Sequence, residues 1–158
     1  MAIKCTSLGK EVFYITYYDN PGITKSGYKA GKGAVAVRYK TGVCDQKDWK
    51  LQPRKPKKGD CWHEFEIPGY GRGKAQDVGC LVTDRHRSDI WLSDEKEYNK
   101  WVEYVKKKAG ATIVNITEFC NKYCGKKTPL GCDKKKLKKH TFKGIVKIEV
   151  EVFECCMV

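Results

Sequence analysis

The sequence has no long apolar run, and this absence excludes one class of protein. No segment approaches the roughly 20 consecutive apolar residues that a membrane-spanning helix needs, so we expect no membrane span. The opening stretch, MAIKCTSLGKEVFYITYYD, also lacks the basic region, apolar run and small-residue cleavage site of a secretion signal. We therefore expect a protein made in the cytoplasm that acts elsewhere only after release.

Acidic residues are few compared with basic ones. The chain has 19 Asp and Glu against 32 Lys and Arg, which gives a formal net charge of +13. A charge this large favours binding to polyanions. Nucleic acid, an anionic membrane surface and a bacterial wall that carries phosphate polymers and carboxylates all fit it, so charge alone does not choose among them.

Two basic runs stand out, RKPKK at 54–58 and KKKLKKH at 134–140. Such runs bind nucleic acid in many proteins. No aromatic motif of an RNA-binding sheet accompanies them here, however, so nucleic acid is not the favoured partner.

The cysteines are nine, an odd number, and without a visible signal reduced thiols are the default expectation. One group near the end of the chain has the residue types of a zinc site. Its members are Cys120, Cys124, Cys132 and His140. Their spacing matches no established zinc finger, so this is a weak metal prediction, and no other cofactor is expected.

The pattern of apolar residues predicts a mainly β protein. Seven segments have the composition of strands, at 11–19, 33–40, 61–71, 78–83, 88–93, 111–119 and 142–154. One helix is predicted from Ser93 to Lys108, with an apolar face formed by Tyr98, Trp101, Val102 and Val105. Residues 41–60 form a polar, basic insertion that we expect to be exposed.

The run at 67–101, IPGYGRGKAQDVGCLVTDRHRSDIWLSDEKEYNKW, resembles the three-aspartate (3D) domain of murein-cleaving enzymes. The resemblance is carried by Gly69-Tyr70-Gly71, Asp77-Val78-Gly79 and Asp89-Ile90, and upstream by ITYYD at 15–19 and GAVAV at 33–37. The chain is also similar to membrane-bound lytic transglycosylase A and to expansins.

This resemblance implies a fold class. It is a mainly β fold, a six-stranded double-psi β-barrel with one inserted α-helix and a C-terminal β extension. Residues 1–119 would form the barrel, with the basic insertion at 41–60. Residues 120–158 would form a Cys/Lys-rich loop and a final strand packed on the barrel.

The resemblance also implies a site. Asp89 matches the acid/base aspartate of lytic transglycosylases, Asp77 would support it, and Asp19 is a third candidate. The residues expected to bind substrate are Tyr70, Trp91, Gly79 and His86. Apart from the family pattern, Asp77 and Asp19 equally suit ordinary turns, and both aromatic residues suit a core.

The implied function is cleavage of peptidoglycan by a single aspartate, of lytic transglycosylase type. A chain without a signal suits a phage or prophage protein of lysis or of the tail, with other such components as partners. Two departures from the family keep alternatives open, because Arg38 stands where the first aspartate is expected and Cys80 replaces a glycine. The alternatives are an expansin-like module that binds wall glycan without cutting it, and a basic protein that binds nucleic acid or another protein.

Overall fold

The computed structural model describes residues 2–37, 49–78, 86–114 and 145–158. This part of the chain contains seven strands and one helix. In chain order they are β1 (Ile3–Tyr18), β2 (Ala34–Val37), β3 (Cys61–Ile67), β4 (Gly71–Val78), β5 (Arg87–Trp91), α1 (Glu95–Lys108), β6 (Thr112–Val114) and β7 (Ile145–Met157).

Six of the strands form a closed ring, in the order β1-β5-β2-β4-β3-β7, and β7 pairs back with β1. The pairs β1–β5 and β2–β4 are parallel, and the other ring pairs are antiparallel. β6 is bonded to β7 outside the ring. The predicted class, a mainly β fold with a six-stranded barrel and one helix, is confirmed.

The final strand is part of the barrel itself, whereas the prediction was a strand packed on the barrel. β7 pairs with β1 along Ile3–Ile15 and with β3 along Cys61–Glu66, so it is the strand that closes the ring. Its sequence alternates buried Val146, Ile148, Val150 and Val152 with more exposed residues. One face of β7 therefore contributes to the hydrophobic core, as period-two alternation requires.

The helix packs its apolar face against the same core. Tyr98, Trp101, Val102 and Val105 are buried, as predicted. The residue that caps the helix is Asp94, one position after the expected Ser93, because its carboxylate accepts a hydrogen bond from Glu97 N at 2.8 Å. No helix in the described part of the chain is long and apolar enough to span a membrane.

Of the insertion at 41–60, which was predicted to be exposed, the structure describes residues 49–60, and residues 38–48 lie outside the described chain. The lysines and Arg54 of the described part are exposed, whereas Trp49 and Gln52 are buried. Trp49 is only 4% exposed and stacks on Phe13, with 5.7 Å between ring centroids. Gln52 is also buried and accepts a hydrogen bond from Gln76 Nε2 at 2.8 Å. An apolar ring buried in the core thus anchors a segment whose charged residues remain outside.

Four cysteines are paired as disulfides, which differs from the expectation of reduced thiols. Cys5 bonds to Cys155, and Cys61 bonds to Cys156. Each pair stands directly opposite in an antiparallel ladder, with Cα atoms 4.0 and 4.1 Å apart. The adjacent cysteines of β7 therefore link it to both of its ring neighbours, an arrangement that only the strand pairing creates.

These links predict a loss of stability when one is removed. The Cys61–Cys156 bond joins residues 95 positions apart, and long closed loops restrict the unfolded chain most. We expect the Cys61→Ser/Cys156→Ser double variant to lose about 2–4 kcal/mol of unfolding free energy, measured by urea denaturation without reductant. With reductant present, the variant and the parent should differ much less. Equal midpoints without reductant would show that this pair is not oxidised.

Candidate functional site

One face of the barrel wall carries polar residues where the opposite face carries core residues. On β1, Phe13, Ile15 and Tyr17 belong to the hydrophobic core. Because side chains alternate along a strand, the intervening Thr16 and Tyr18 lie on the other face. The residues of β5 paired with Thr16 and Tyr18 are Asp89 and Trp91.

Ala36 of β2 stands between the two predicted aspartates. It is paired with Asp89 on one side and with Asp77 on the other. A register shift after Val35 brings Asp77 to this position. The two aspartates are thus two strand spacings apart, roughly 9–10 Å between Cα atoms. We call the following residues the polar face: Thr16, Tyr18, Ala36, Asp77, Arg87, Asp89 and Trp91.

Asp89 is held in a buried network. Its Oδ1 accepts a hydrogen bond from Arg87 Nη1 at 2.6 Å and another, short one from the hydroxyl of Thr16. Arg87 Nη2 also donates to Thr16 Oγ1 at 2.7 Å, which closes a triangle. Asp89 is 6% exposed and Arg87 is fully buried. The sequence alone did not predict this partner, although Arg87 lies two positions before Asp89 on the same side of its strand.

Asp77 has a more open setting. Its Oδ2 accepts a hydrogen bond from the Tyr18 hydroxyl at 3.1 Å, and its Oδ1 accepts from the backbone N–H of Lys25 and of Val78 at 3.0 and 2.9 Å. Burial raises the pKa of Tyr18 well above its usual range, and the neighbouring Asp77 carboxylate raises it further. Tyr18 is therefore a neutral hydroxyl donor to a half-buried carboxylate. Asp77 lies in β4, so the turn interpretation does not hold for it.

The two aromatic candidates have different roles. Trp91 is half-buried, and its Nε1 donates to the carbonyl of Asn20 at 3.0 Å. Tyr70 is buried, and its hydroxyl accepts from Gly33 N at 2.7 Å and donates to Trp91 O at 2.9 Å. Burial raises the pKa of Tyr70 to about 12, and its two hydrogen bonds offset part of the rise. Tyr70 thus connects two backbone segments through its hydroxyl, whereas Trp91 is partly exposed.

Asp19 and His86 are not joined to the two aspartates. Asp19 is exposed just after β1, and no hydrogen bond or ion pair of the described residues links it to Asp77 or Asp89. The pKa of Tyr17 is raised mainly by burial, and the negative charge of Asp19 raises it further. His86 Nε2 lies 2.7 Å from a carboxylate oxygen of Glu11. Among the described residues, no hydrogen bond or ion pair joins His86 to Asp89.

Several predicted residues fall outside the described ranges. They are Gly79, Cys80 and Arg38, and the weak metal group Cys120, Cys124, Cys132 and His140. In the described chain, two other groups bring potential metal ligands within 4.8 Å of one another. They are Cys5 with Glu64 and Cys155, and Cys61 with Glu154 and Cys156. All four sulfurs are in disulfides, so in this form they are not available as thiolate ligands.

The chain matches no protein-family model, no curated protein and no solved structure. The resemblance to the 3D domain therefore stays a prediction from the motifs.

The buried network makes a prediction about stability. Replacing Arg87 by leucine leaves the Asp89 carboxylate buried without its cationic partner, and we expect a loss of about 3 kcal/mol of unfolding free energy. The Arg87→Leu/Asp89→Leu double variant should recover part of it, because no buried charge is then left. Urea denaturation checks both.

A matched control is Lys100→Met, since Lys100 forms an exposed ion pair with Glu97 at 3.6 Å on α1. This control should cost under about 0.5 kcal/mol. An Arg87→Leu variant no less stable than Lys100→Met would contradict the role given to the buried pair.

Proposed function

We propose that the protein is a wall-binding module that holds cell-wall glycan on its polar face and does not cut it. The observation that carries the proposal is the pairing of Tyr18 with Trp91 beside Asp77. These three are the half-buried members of a face whose other residues are buried.

Aromatic rings and a carboxylate are suitable groups for holding a sugar. The flat apolar side of a sugar ring packs on an aromatic face, and sugar hydroxyls donate hydrogen bonds to a carboxylate. Tyr18 and Trp91 are neighbours on β1 and β5, so their side chains rise from the same part of the wall. The carboxylate of Asp77 lies 3.1 Å from the Tyr18 hydroxyl. A few fixed polar groups next to an apolar surface are typical of binding sites.

The state of Asp89 favours binding over cleavage. A general acid must come within about 3 Å of the oxygen that it protonates. Here Arg87 and Thr16 both bond to Oδ1 of Asp89, and only 6% of the residue is exposed. Because so little of Asp89 is exposed, a glycosidic oxygen would reach this carboxyl only after the residues around it move.

The charge and the disulfides suggest where such a module would act. A net charge of +13 is attracted to peptidoglycan or another anionic wall glycan. Disulfides persist in oxidising surroundings, which suits action outside the cytoplasm. We place the protein at the wall after release, as a phage or prophage lysis or tail-associated protein would act.

The second candidate is the lytic transglycosylase activity that the motifs imply. The observation in its favour is that Asp77 and Asp89 flank Ala36 on one face. Asp89 would give a proton to the leaving oxygen and then take one from a hydroxyl of the sugar, which closes an anhydro ring without water. Asp77 would support it. This activity requires the buried Asp89 carboxyl to become accessible when substrate binds.

Binding and cleavage are separated by one experiment on peptidoglycan sacculi. We expect the protein to sediment with sacculi and to release no soluble fragments detectable by mass spectrometry. Trp91→Ala should weaken retention about tenfold, because it removes a central aromatic contact. The control is Tyr104→Ala, which removes an aromatic side chain that is 51% exposed on α1 and should leave retention unchanged.

The variants Asp77→Asn and Asp89→Asn, assayed in the same way, test whether the protein cleaves the glycan as a transglycosylase. Anhydro-muropeptides released by the parent and lost in Asp89→Asn would replace the binding proposal by the transglycosylase. Equal retention of the parent and Trp91→Ala would show that the polar face does not bind the glycan. Thermal unfolding of each variant shows whether a loss is due to the site or to the fold.

A further inference from the structure

Two loops beside the polar face are hydrogen-bonded to each other and to β4. They are residues 20–33, between β1 and β2, and residues 50–60, before β3, and we call them the double-loop surface. The Tyr28 hydroxyl donates to the carbonyl of Pro53 at 2.5 Å, and Arg54 Nε donates to the carbonyl of Gly27 at 3.0 Å. The backbone N–H groups of Ser26 and Gln52 donate to neighbouring carbonyls of β4. The loops are therefore held in a defined position.

The charge of this surface is strongly one-sided. It has eight cationic side chains, all exposed, and one carboxylate. The cations are Lys25, Lys29, Lys32, Lys50, Arg54, Lys55, Lys57 and Lys58. The carboxylate, that of Asp60, accepts a hydrogen bond from the backbone N–H of Lys57 at 2.8 Å and so serves the local turn. Lys50 forms an ion pair with Glu154 of β7 at 2.9 Å. Among the described residues, Lys29, Lys55 and Lys58 form no ion pair.

The double-loop surface adjoins the polar face. The backbone N–H of Lys25, in the first loop, donates to Asp77 Oδ1 at 3.0 Å. Any polymer held at Asp77, Tyr18 and Trp91 would therefore lie beside the first loop, which carries three of the lysines. Because the loops are braced before binding, less conformational freedom is lost when a ligand binds.

We propose that the double-loop surface binds a phosphodiester polymer carried by the cell wall. This inference rests on the proposed function and adds a ligand class to it, namely a linear chain of phosphate groups beside the glycan. Lysine and arginine bind phosphate by charge-assisted hydrogen bonds. Several exposed cations in two fixed loops match a polymer with many phosphates better than a single small anion.

Nucleic acid is the competing phosphodiester polymer, and the composition of the loops disfavours it. Tyr28 is the one aromatic residue in 20–33 and 50–60. Its hydroxyl is bonded to Pro53, and the Arg54 guanidinium lies 5.8 Å from its ring centroid. Proteins that bind single strands usually stack bases on free aromatic faces, and these loops offer none that is free. The loops therefore offer cations for phosphate groups and no aromatic ring for stacking on bases.

The test compares two triple variants that remove equal charge. Lys29→Gln/Lys55→Gln/Lys58→Gln neutralises the double-loop surface, and Lys96→Gln/Lys107→Gln/Lys108→Gln neutralises exposed lysines on α1. Binding of fluorescently labelled poly(glycerol phosphate) is measured by anisotropy between 25 and about 200 mM salt, a range in which phosphate contacts weaken steeply. The loop variant should lose about tenfold or more in affinity, with a shallower salt dependence. The helix variant should stay close to the parent.

Two results of the anisotropy experiment would overturn the proposal. One is an equal loss in the two triple variants, which would make the effect one of net charge. The other is tighter binding of a single-stranded oligonucleotide with the same number of phosphates, which would assign the surface to nucleic acid.

A further arm uses sacculi with and without acid removal of their phosphate polymers. The loop variant should be retained less than the parent on intact sacculi and equally on stripped ones. Equal retention of the loop variant and the parent on intact sacculi would overturn the proposal. The proposal that the polar face binds glycan is tested separately on stripped sacculi. Equal retention of the parent and Trp91→Ala there would contradict that proposal.

Discussion

Closure of the barrel depends on β7, which hydrogen-bonds to β1 on one edge and to β3 on the other. Without this strand, β1 and β3 would both have an unpaired edge, and unpaired edges invite association with other chains. The two disulfides reinforce the same seam, because Cys155 and Cys156 bind β1 and β3 respectively. The end of the chain thus fixes the ring that positions every residue of the polar face.

The polar face follows from ring closure and strand alternation. β1 and β5 run parallel, which sets Thr16 beside Asp89 and Tyr18 beside Trp91. β2 contributes a small side chain, Ala36, between the two aspartates. The two carboxylates therefore have different neighbours. Asp89 lies in a buried network with Arg87, and Asp77 bonds to a tyrosine hydroxyl and remains half-buried. That difference is the reason for preferring a binding role to cleavage.

Much of the barrel could be predicted because its strands have strong local patterns. The alternation of Val and Ile in β7 and the helical spacing of Tyr98, Trp101 and Val105 both appear in the structure. The sequence pattern does not predict β4, because its sequence, GRGKAQDV, is rich in glycine and charged residues. Its Gly73 is needed there because an added Cβ would lie 2.5 Å from Val35 Cγ2. A requirement imposed by a neighbouring strand leaves no periodic signal in the sequence.

The amino-acid pattern alone is enough to predict the mainly β class, the helix with its buried face, and the excess of positive charge. Those features depend on residues near one another in the chain. The contacts of Arg87 with Asp89 and of Tyr18 with Asp77 are visible only in the folded chain. The same is true of the bond between Cys5 and Cys155, which lie 150 positions apart. Such partners depend on which strands are neighbours and in what register, and pairing between distant segments is fixed only when the ring closes.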